Sequence, residues 1–194
     1  MIAALRAGDP VVLPFDTVYG LAAEPSDAAS TRRLYELKGR PEQQPTALVA
    51  ASVDRLRALL PELDMTAAWH LVPGPFTLVV PNPQRRFPWL TGANPDALGI
   101  RVPDLAGPTR EVLAALGAVV ATSANLPGRP DPRRLSDVPE EIRAGAAAVV
   151  DGGELPGTPS TVVDLTGPEP RILREGAVST AEVLRRLQAP VRST

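Results

Sequence analysis

The chain has no cysteine, and its 194 residues include one histidine and one lysine. The absence of cysteine excludes disulfides, thiolate zinc sites and cysteine nucleophiles. The single histidine, His70, disfavours a Ser-His-Asp mechanism unless His70 itself is the base. We expect His70 to be a structural or surface residue, because no second metal ligand or base-orienting partner lies near it in the sequence.

Aromatic residues make up only 4% of the chain, which disfavours a surface built on aromatic stacking. The formal net charge of -2 argues against a protein that holds nucleic acid by bulk charge, although a local basic cleft stays open as an alternative. No run approaches the ~18 apolar residues of a membrane span, and no basic region precedes a long apolar run at the N-terminus. We therefore expect a cytoplasmic protein that makes no membrane contact.

The length and the 44% hydrophobic content predict one globular domain with a substantial core. The 23 prolines and 15 glycines are spread along the chain and are typical of turns in a loop-rich α/β domain. Short apolar runs predict strands at 11–15, 46–50, 76–80, 99–103, 118–121, 147–150, 160–164 and 171–176. Cap residues and apolar periodicity predict helices at 1–7, 26–37, 52–60, 64–71, 109–116, 139–144 and 179–188.

Lys38 is the only lysine among 20 basic residues, and Arg40 follows it between a predicted helix and Pro41. Lysine is a compact point charge on a flexible stem, whereas arginine is a planar fork. Two cations this close, held by prolines, can clamp a polyanion such as a triphosphate. The alternative is that both simply favour the C-terminal end of the helix dipole, and this stretch alone favours that alternative.

Polar side chains follow two other predicted strands, where α/β folds commonly place ligands. Asp16 and Thr17 come after the first strand and either face a ligand or cap a turn. Arg101 lies in an otherwise apolar strand and needs an anion, either a ligand or an internal salt-bridge partner. Ser123 and Asn125 follow a buried strand and offer groups that suit phosphate or ribose oxygens, although this stretch alone favours a simple polar turn.

The segment 151–159 is rich in glycine and proline and predicts a mobile loop, with a lid as one interpretation. The chain contains no Walker phosphate loop, no G-x-G-x-x-G, no H-E-x-x-H and no internal repeat. A nucleotide enzyme with this sequence would therefore not be one of the common kinds.

Taken together, eight short motifs resemble the YrdC-like family, the threonylcarbamoyl-AMP synthases. They occur in the family's order and span nearly the whole chain, and the ordered set is specific although each motif alone is weak. They are Pro14-Phe15-Asp16-Thr17-Val18-Tyr19-Gly20, Leu37-Lys38-Gly39-Arg40-Pro41, Pro73-Gly74-Pro75-Phe76-Thr77-Leu78, Trp89-Leu90-Thr91-Gly92, Ile100-Arg101-Val102-Pro103, Thr122-Ser123-Ala124-Asn125, Ser160-Thr161-Val162-Val163-Asp164 and Ile172-Leu173-Arg174-Glu175-Gly176.

The resemblance implies an α/β fold, a single YrdC-like domain with a twisted mixed β-sheet and flanking helices around a basic concave cleft. We expect this domain at 1–188 and a C-terminal tail at 189–194, without the extra C-terminal domain of longer relatives. The implied activity is nucleotidyl transfer: L-threonine, bicarbonate or CO2, and ATP give threonylcarbamoyl-AMP and pyrophosphate. Mg2+ is expected with the triphosphate, held mainly by phosphate oxygens and water and not by a metal site of the protein. The product would pass to a separate transferase complex that completes threonylcarbamoyladenosine in tRNA.

Carried over residue by residue, the resemblance assigns a role to nine positions. Lys38 and Arg40 are expected to act on the ATP phosphates as the catalytic pair. The nucleotide would also contact Gln44, Ser123, Asn125 and Arg174. Threonine or its carbamate would be held by Thr17, Arg101 and Ser160.

Two positions depart from the family pattern and bear on the choice of amino acid. Phe15 stands where many members have Thr, and Val49 stands where longer members have a His that contacts threonine. Phe15 leaves open a paralogue of the same fold that acts on another amino acid. Two alternatives from other classes are an RNA-binding module that uses the same cleft and a nucleotide-binding protein without this activity. Weak binding of tRNA or other RNA is a further expectation.

Overall fold

The computed structural model describes residues 1–64 and 68–188. Within these residues, the chain forms six helices and nine strands. The strands are β1 (Val11–Pro14), β2 (Tyr19–Ala23), β3 (Ala47–Ala50), β4 (Phe76–Pro81), β5 (Ala97–Arg101), β6 (Ala118–Ser123), β7 (Ala148–Val149), β8 (Thr161–Asp164) and β9 (Arg171–Arg174). The helices are α1 (Ile2–Arg6), α2 (Ala28–Lys38), α3 (Val53–Leu59), α4 (Gly107–Leu116), α5 (Glu140–Gly145) and α6 (Thr180–Leu187). Short 3-10 turns lie at Trp69–Leu71, Pro88–Leu90 and Leu135–Asp137.

All nine strands form one mixed sheet in the order β7-β1-β2-β6-β3-β5-β4-β8-β9. Parallel pairs join β1 to β7, β3 to β5 and β4 to β8, and the remaining neighbours are antiparallel. The order of the strands in the sheet differs from their order along the chain, so residues far apart in sequence meet on neighbouring strands. This order brings the ends of β1, β5, β6 and β8 close enough to build one site.

Alternation of side chains along the strands gives the sheet two differently covered faces. One face packs Leu48 and Val120 into a core with residues of α2, α3, α5 and α6. The opposite face packs Val49 and Val119 into a smaller core with α1 and α4. Of the helices in the described ranges, only α1 and α4 contribute buried side chains to this second core, and the part of the face they leave uncovered forms the floor of a cavity.

Local sequence explains why α2 ends where it does. The Asp27 side chain accepts a hydrogen bond from the Ser30 amide at 2.9 Å and caps the first turn. Gly39 ends the helix in the left-handed region at φ 64°, a conformation that costs glycine little. The Arg40 amide then donates to the Tyr35 carbonyl at 2.9 Å. Lys38 is therefore presented on the last helical turn, with the chain turning sharply behind it.

The predicted mixed α/β fold with flanking helices is confirmed, and most predicted elements exist. Strand β2, which begins with Tyr19 and Gly20, is absent from the strands predicted from the sequence. The helix predicted at 64–71 falls partly on 65–67, outside the described residues, and its end is the 3-10 turn Trp69–Leu71. Pro73 explains the short turn, because the residue before a proline is pushed away from helical geometry.

The predicted tail at 189–194 also lies outside the described residues, so the division of the chain at 188 stays a prediction. Within residues 1–64 and 68–188, the structure contains no helix with the length and apolar character needed to cross a membrane.

Candidate functional site

The second face of the sheet carries a cavity of about 600 Å³. Its floor is a row of small side chains, because Ala121 pairs with Ala47, Ala47 with Gly99, and Gly99 with Val79. Bulkier residues in this row would fill the space that the uncovered face leaves. The small side chains at these positions therefore leave a concave surface in the middle of the sheet.

All nine residues expected at the site line this cavity: Thr17, Lys38, Arg40, Gln44, Arg101, Ser123, Asn125, Ser160 and Arg174. They come from separate parts of the chain, and the sheet order brings them together. Among the described lining residues, four are cationic and one, Asp131, is a carboxylate. Sequence reasoning missed Asp131, whose only signal is its place between two prolines in a loop after β6. It also missed Thr77, which was read only as part of a strand.

Arg101 stands at the end of β5 in a nearly closed corner. Its guanidinium donates to the Asp16 carboxylate and, at 2.9 Å, to the Thr17 hydroxyl. The Asp16 carboxylate also accepts from the Asp104 amide at 3.3 Å. Arg101 and Asp16 are only 12% and 10% exposed, so both charges have lost most of their water. The internal salt bridge weighed for Arg101 is therefore present, in a residue that also lines the cavity.

Burial dominates the electrostatics of this corner. Desolvation raises the pKa of Asp16 even though the Arg101 charge and the Asp104 amide act in the opposite direction. Desolvation likewise lowers the pKa of Arg101, against the attraction of Asp16. The Arg101 Nε is buried and has no hydrogen-bond partner among the described residues. Asp16 and Thr17 both accept from one terminal nitrogen of the Arg101 guanidinium, so donors remain on its other nitrogens, a combination suited to a carboxylate ligand.

Phe15 forms the apolar side of the same corner. Its ring lies 5.8 Å from the Arg101 guanidinium carbon, within the range of a cation-π contact. A Cβ placed on Gly20 would fall 2.6 Å from this ring, so Gly20 is required for the ring to lie there. Val49 also lines the cavity. Both positions that depart from the family pattern therefore face the space beside Arg101.

Lys38 lies in a second corner, 5% exposed, beneath the turn that follows β6. Its ammonium donates to the Ser123 carbonyl at 2.5 Å and to the Asn125 carbonyl and Asn125 Oδ1 at 2.8 Å each. Burial, reinforced by the Arg40 charge, lowers the pKa of Lys38 to about 8, while Asp131 acts in the opposite direction. The amine is therefore mostly protonated at neutral pH, but less firmly than an exposed lysine.

Arg40 lies beside Lys38 and bridges two elements. It donates to the Thr122 hydroxyl at 3.0 Å and to the Pro45 carbonyl, and its guanidinium carbon lies 5.9 Å from the Tyr35 ring centre. Burial lowers the pKa of Arg40. Its Nε is buried without a hydrogen-bond partner among the described residues. Gln44 lies close by because its carbonyl accepts the Tyr35 hydroxyl at 2.8 Å.

A third corner joins β4, β8 and β9. The Ser160 and Thr77 hydroxyl oxygens lie 2.8 Å apart. Arg174 donates to the Ser160 carbonyl at 2.8 Å and approaches the Ser160 hydroxyl at 3.3 Å. This arrangement fixes Arg174 through the backbone of the neighbouring strand and keeps its charge at the rim of the cavity.

The segment 151–159 is fastened along its length. The Tyr19 hydroxyl donates to the Gly153 carbonyl at 2.8 Å and accepts from the Gly152 amide at 2.9 Å. Further on, the Gly157 amide donates to the Thr17 carbonyl at 2.9 Å. Glu154 forms salt bridges of 2.6 Å with Arg133 and Arg134. Of this segment only Pro159 lines the cavity, and the lid stays a prediction.

The described residues contain no group of three or more His, Cys, Asp or Glu side chains that could hold a metal ion. Asp131 is the one carboxylate among the described residues that line the cavity. A single carboxylate does not supply enough ligands for a magnesium site built by the protein alone. The chain thus offers a cationic and hydroxyl-lined cavity without a metal centre of its own in the described ranges.

Comparison with known proteins gives consistent results. The Sua5/YciO/YrdC family model, described as telomere recombination, matches residues 3–176. A threonylcarbamoyl-AMP synthase of Pyrococcus abyssi is 34% identical over 183 residues, which cover 92% of this chain and 54% of that protein. A threonylcarbamoyl-AMP synthase of Xanthomonas euvesicatoria is 38% identical over 161 residues, covering 78% of this chain and 83% of that protein.

Among solved structures, P. abyssi Sua5 complexed with L-threonine has a TM-score of 0.86 and 33% identity, covering 96% of this chain and 56% of that chain. The chain therefore spans about half the length of its Pyrococcus relative.

Proposed function

The chain belongs to the Sua5/YciO/YrdC family, and we propose that it makes threonylcarbamoyl-AMP and pyrophosphate from L-threonine, bicarbonate or CO2, and ATP. The observation that carries this proposal is the convergence of four cationic side chains on one cavity that the buried Thr17 and Ser160 also line. A triphosphate and an amino-acid carboxylate are both anions, and both need cations placed before they bind.

The nucleotide half of the proposed site lies between α2, the end of β6 and β9. Arg40, Gln44, Ser123 and Asn125 line this part of the cavity, and Arg174 would reach the nucleotide from β9, beside Ser160. A phosphate role for Arg40 is supported by its place in the cavity lining and by a guanidinium that donates to only two protein oxygens, Thr122 Oγ1 and the Pro45 carbonyl. Lys38 lies behind this row, beneath the turn that carries Ser123 and Asn125.

The threonine half of the proposed site is the corner around Arg101. The Arg101 guanidinium would pair with the substrate carboxylate, and the Thr17 hydroxyl lies 2.9 Å from the same guanidinium. Ser160 would approach the other end of the amino acid from β8. Phe15 and Val49 supply an apolar wall for the threonine methyl group.

The proposed chemistry balances without a nucleophile from the protein. The threonine amine attacks the carbon of CO2 and loses a proton to give a carbamate; with bicarbonate, the same C–N bond forms and water leaves. A carbamate oxygen then attacks the α-phosphorus, the bond to the β-phosphate oxygen breaks, and pyrophosphate leaves. The chain's residues hold the two anions in line, neutralise the developing charge and keep water away from the labile carbamate. This division of work fits a chain without cysteine. Mg2+, where present, would travel with the triphosphate.

We further propose that the product passes to a transferase complex that modifies tRNA, and therefore that the protein acts in the cytoplasm. Direct RNA binding would be weak, in keeping with the net charge of -2.

The test is pyrophosphate release by purified protein with ATP and Mg2+, leaving out threonine or bicarbonate in turn. Release that requires both co-substrates supports the proposal. Release without either would make the protein a different ATP-cleaving enzyme. ATP binding with no release under any condition would favour the nucleotide-binding paralogue, and release with another amino acid in place of threonine would point to Phe15 and Val49.

A further inference from the structure

We propose that Lys38 is a positioning residue, which fixes the Ser123–Asn125 turn so that the turn, and not the ammonium, meets the nucleotide. Part of this inference rests on the proposed function, because it concerns how ATP is recognised. The rest concerns the ligand-free protein and stands by itself.

Every N–H of the Lys38 ammonium has an oxygen of the chain within hydrogen-bond distance. A lysine ammonium has three N–H groups. Three protein oxygens lie within hydrogen-bond distance of Lys38 Nζ, at 2.5, 2.8 and 2.8 Å, and all three belong to the turn after β6. Two are backbone carbonyls, of Ser123 and Asn125, and the third is Asn125 Oδ1. Each N–H therefore has a partner within the chain, and a phosphate would have to displace one of them.

The Asn125 side chain has a defined orientation. Its Oδ1 accepts from Lys38 and also from the Ser123 hydroxyl at 2.7 Å. Its Nδ2 donates to the Arg129 carbonyl at 2.5 Å. The Asn125 amide thus has one orientation in which both its oxygen and its nitrogen find partners. The Lys38 ammonium holds that oxygen together with the Ser123 and Asn125 backbone carbonyls.

The three oxygens also explain why this one position carries lysine in a chain that otherwise uses arginine. Three oxygens around a single nitrogen match a tetrahedral ammonium, whereas the donors of a guanidinium fan out in one plane. An arginine could pair with one or two of the oxygens but not with all three through one atom. Lys38 is the last residue of α2, and Gly39 turns the chain away after it. The backbone from which the lysine side chain extends is therefore fixed by the helix end.

The charge of the neighbours fits this role. Arg40 and Asp131 are the charged groups that act on Lys38, the first disfavouring and the second favouring the ammonium. Arg40 has five N–H groups and donates hydrogen bonds to the Thr122 hydroxyl and the Pro45 carbonyl, so its guanidinium keeps further donors while lining the same cavity. The direct contact to phosphate thus falls to Arg40, and the arrangement of the turn falls to Lys38.

The test compares Lys38→Met and Lys38→Arg with wild type and with Arg174→Met, a control that removes a cavity cation without touching the turn. The first readout is hydrogen exchange of the Ala124 amide, which donates to the Tyr19 carbonyl at 2.9 Å inside the turn, in ligand-free protein. Both Lys38 variants are expected to exchange about tenfold faster or more, and Arg174→Met within about twofold of wild type.

The second readout is ATP affinity by calorimetry in a double-mutant cycle with Asn125→Ala. If Lys38 acts through the turn, Lys38→Met weakens ATP binding about tenfold or more in the wild-type background. In the Asn125→Ala background, the same substitution weakens ATP binding about threefold or less. Lys38→Arg then loses nearly as much as Lys38→Met. A loss of equal size in both backgrounds, or near-normal affinity of Lys38→Arg, would identify Lys38 as a direct phosphate ligand and overturn the inference.

Failure of the proposed function gives a different pattern. If wild type does not bind ATP, the synthase proposal fails, while the exchange comparison still decides whether Lys38 fixes the turn. Unchanged Ala124 exchange in both Lys38 variants overturns the inference whatever ATP does. Thermal unfolding of each variant separates a local change at the turn from global unfolding.

Discussion

The buried ammonium of Lys38 makes the protein's stability depend on pH in a defined way. Its pKa falls from an ordinary 10.5 to about 8 because burial and Arg40 disfavour the charged form. The unfolded chain therefore binds the proton more tightly than the folded one. The cost to stability is full below pH 8 and disappears as the pH rises toward 10.5, so this group makes the folded state more stable with rising pH.

The magnitude follows from linkage. Between pH 7 and pH 9.5, a lysine with these two pKa values gains about 2 kcal/mol of folding stability. For a chain of this length that corresponds to about 4–8 °C in Tm. Other groups also titrate in this range, including the tyrosines, so the quantity to compare is the difference between wild type and Lys38→Met. We expect this difference to shift by about 2 kcal/mol in favour of wild type across the range.

The chain allows a direct assay, because Lys38 is its only lysine. Protein labelled with 13C at lysine Cε gives one lysine signal, which Lys38→Met removes and thereby assigns. Titration of that signal reports the pKa without any pH-dependent unfolding, and urea unfolding at each pH reports the stability. A pKa within about 0.5 of the ordinary value, with a stability difference that stays flat with pH, would refute the description of a desolvated ammonium holding three oxygens.

Three further predictions follow from single contacts. Arg101→Met is expected to raise the KM for threonine about 100-fold or more with ATP affinity changed less than about twofold, and equal loss of both would contradict the division of the cavity. Tyr19→Phe should lower stability by about 1–2 kcal/mol and speed amide exchange within 151–157, whereas unchanged exchange would mean that the hydroxyl does not fasten this segment. Gly92→Ala should cost about 3 kcal/mol or more in urea unfolding, since its Cβ would lie 2.4 Å from the Gln43 carbonyl oxygen. Gly107→Ala is the matched control, at nearly the same φ of +65° but in open space, and should cost only about 1 kcal/mol; similar costs for both would show that the clash is relieved.

The residues of the candidate site could be predicted from the sequence because they occur in short ordered motifs at strand and helix ends. Their convergence follows from sheet order, which the motifs carry only through a family resemblance. What the motifs cannot give is the partner of each side chain. Asp16 and Arg101 are 85 positions apart in the chain, and nothing local says that they form an ion pair rather than two ligand contacts.

The missed strand β2 has a physical explanation. All five of its residues are buried, so it lacks the alternation that marks a half-buried strand, and it follows β1 after only four residues. Gly20 also weakens the local strand signal, although it is needed to admit the Phe15 ring. Lys38 illustrates the same limit, since the sequence singled it out but only the fold identifies the three oxygens that surround it.

The most direct test of the proposed synthase is the identity of the adenylate that it forms. Wild-type protein would be incubated with ATP, Mg2+, L-threonine and 13C-bicarbonate, with Arg101→Met in parallel, and the products weighed by mass spectrometry before the carbamate decays. We expect an adenylate that carries both threonine and one 13C atom in wild type, and about 100-fold less or none at the same threonine concentration in Arg101→Met. An adenylate of threonine without the 13C atom, or ATP cleaved with no adenylate formed, would contradict it.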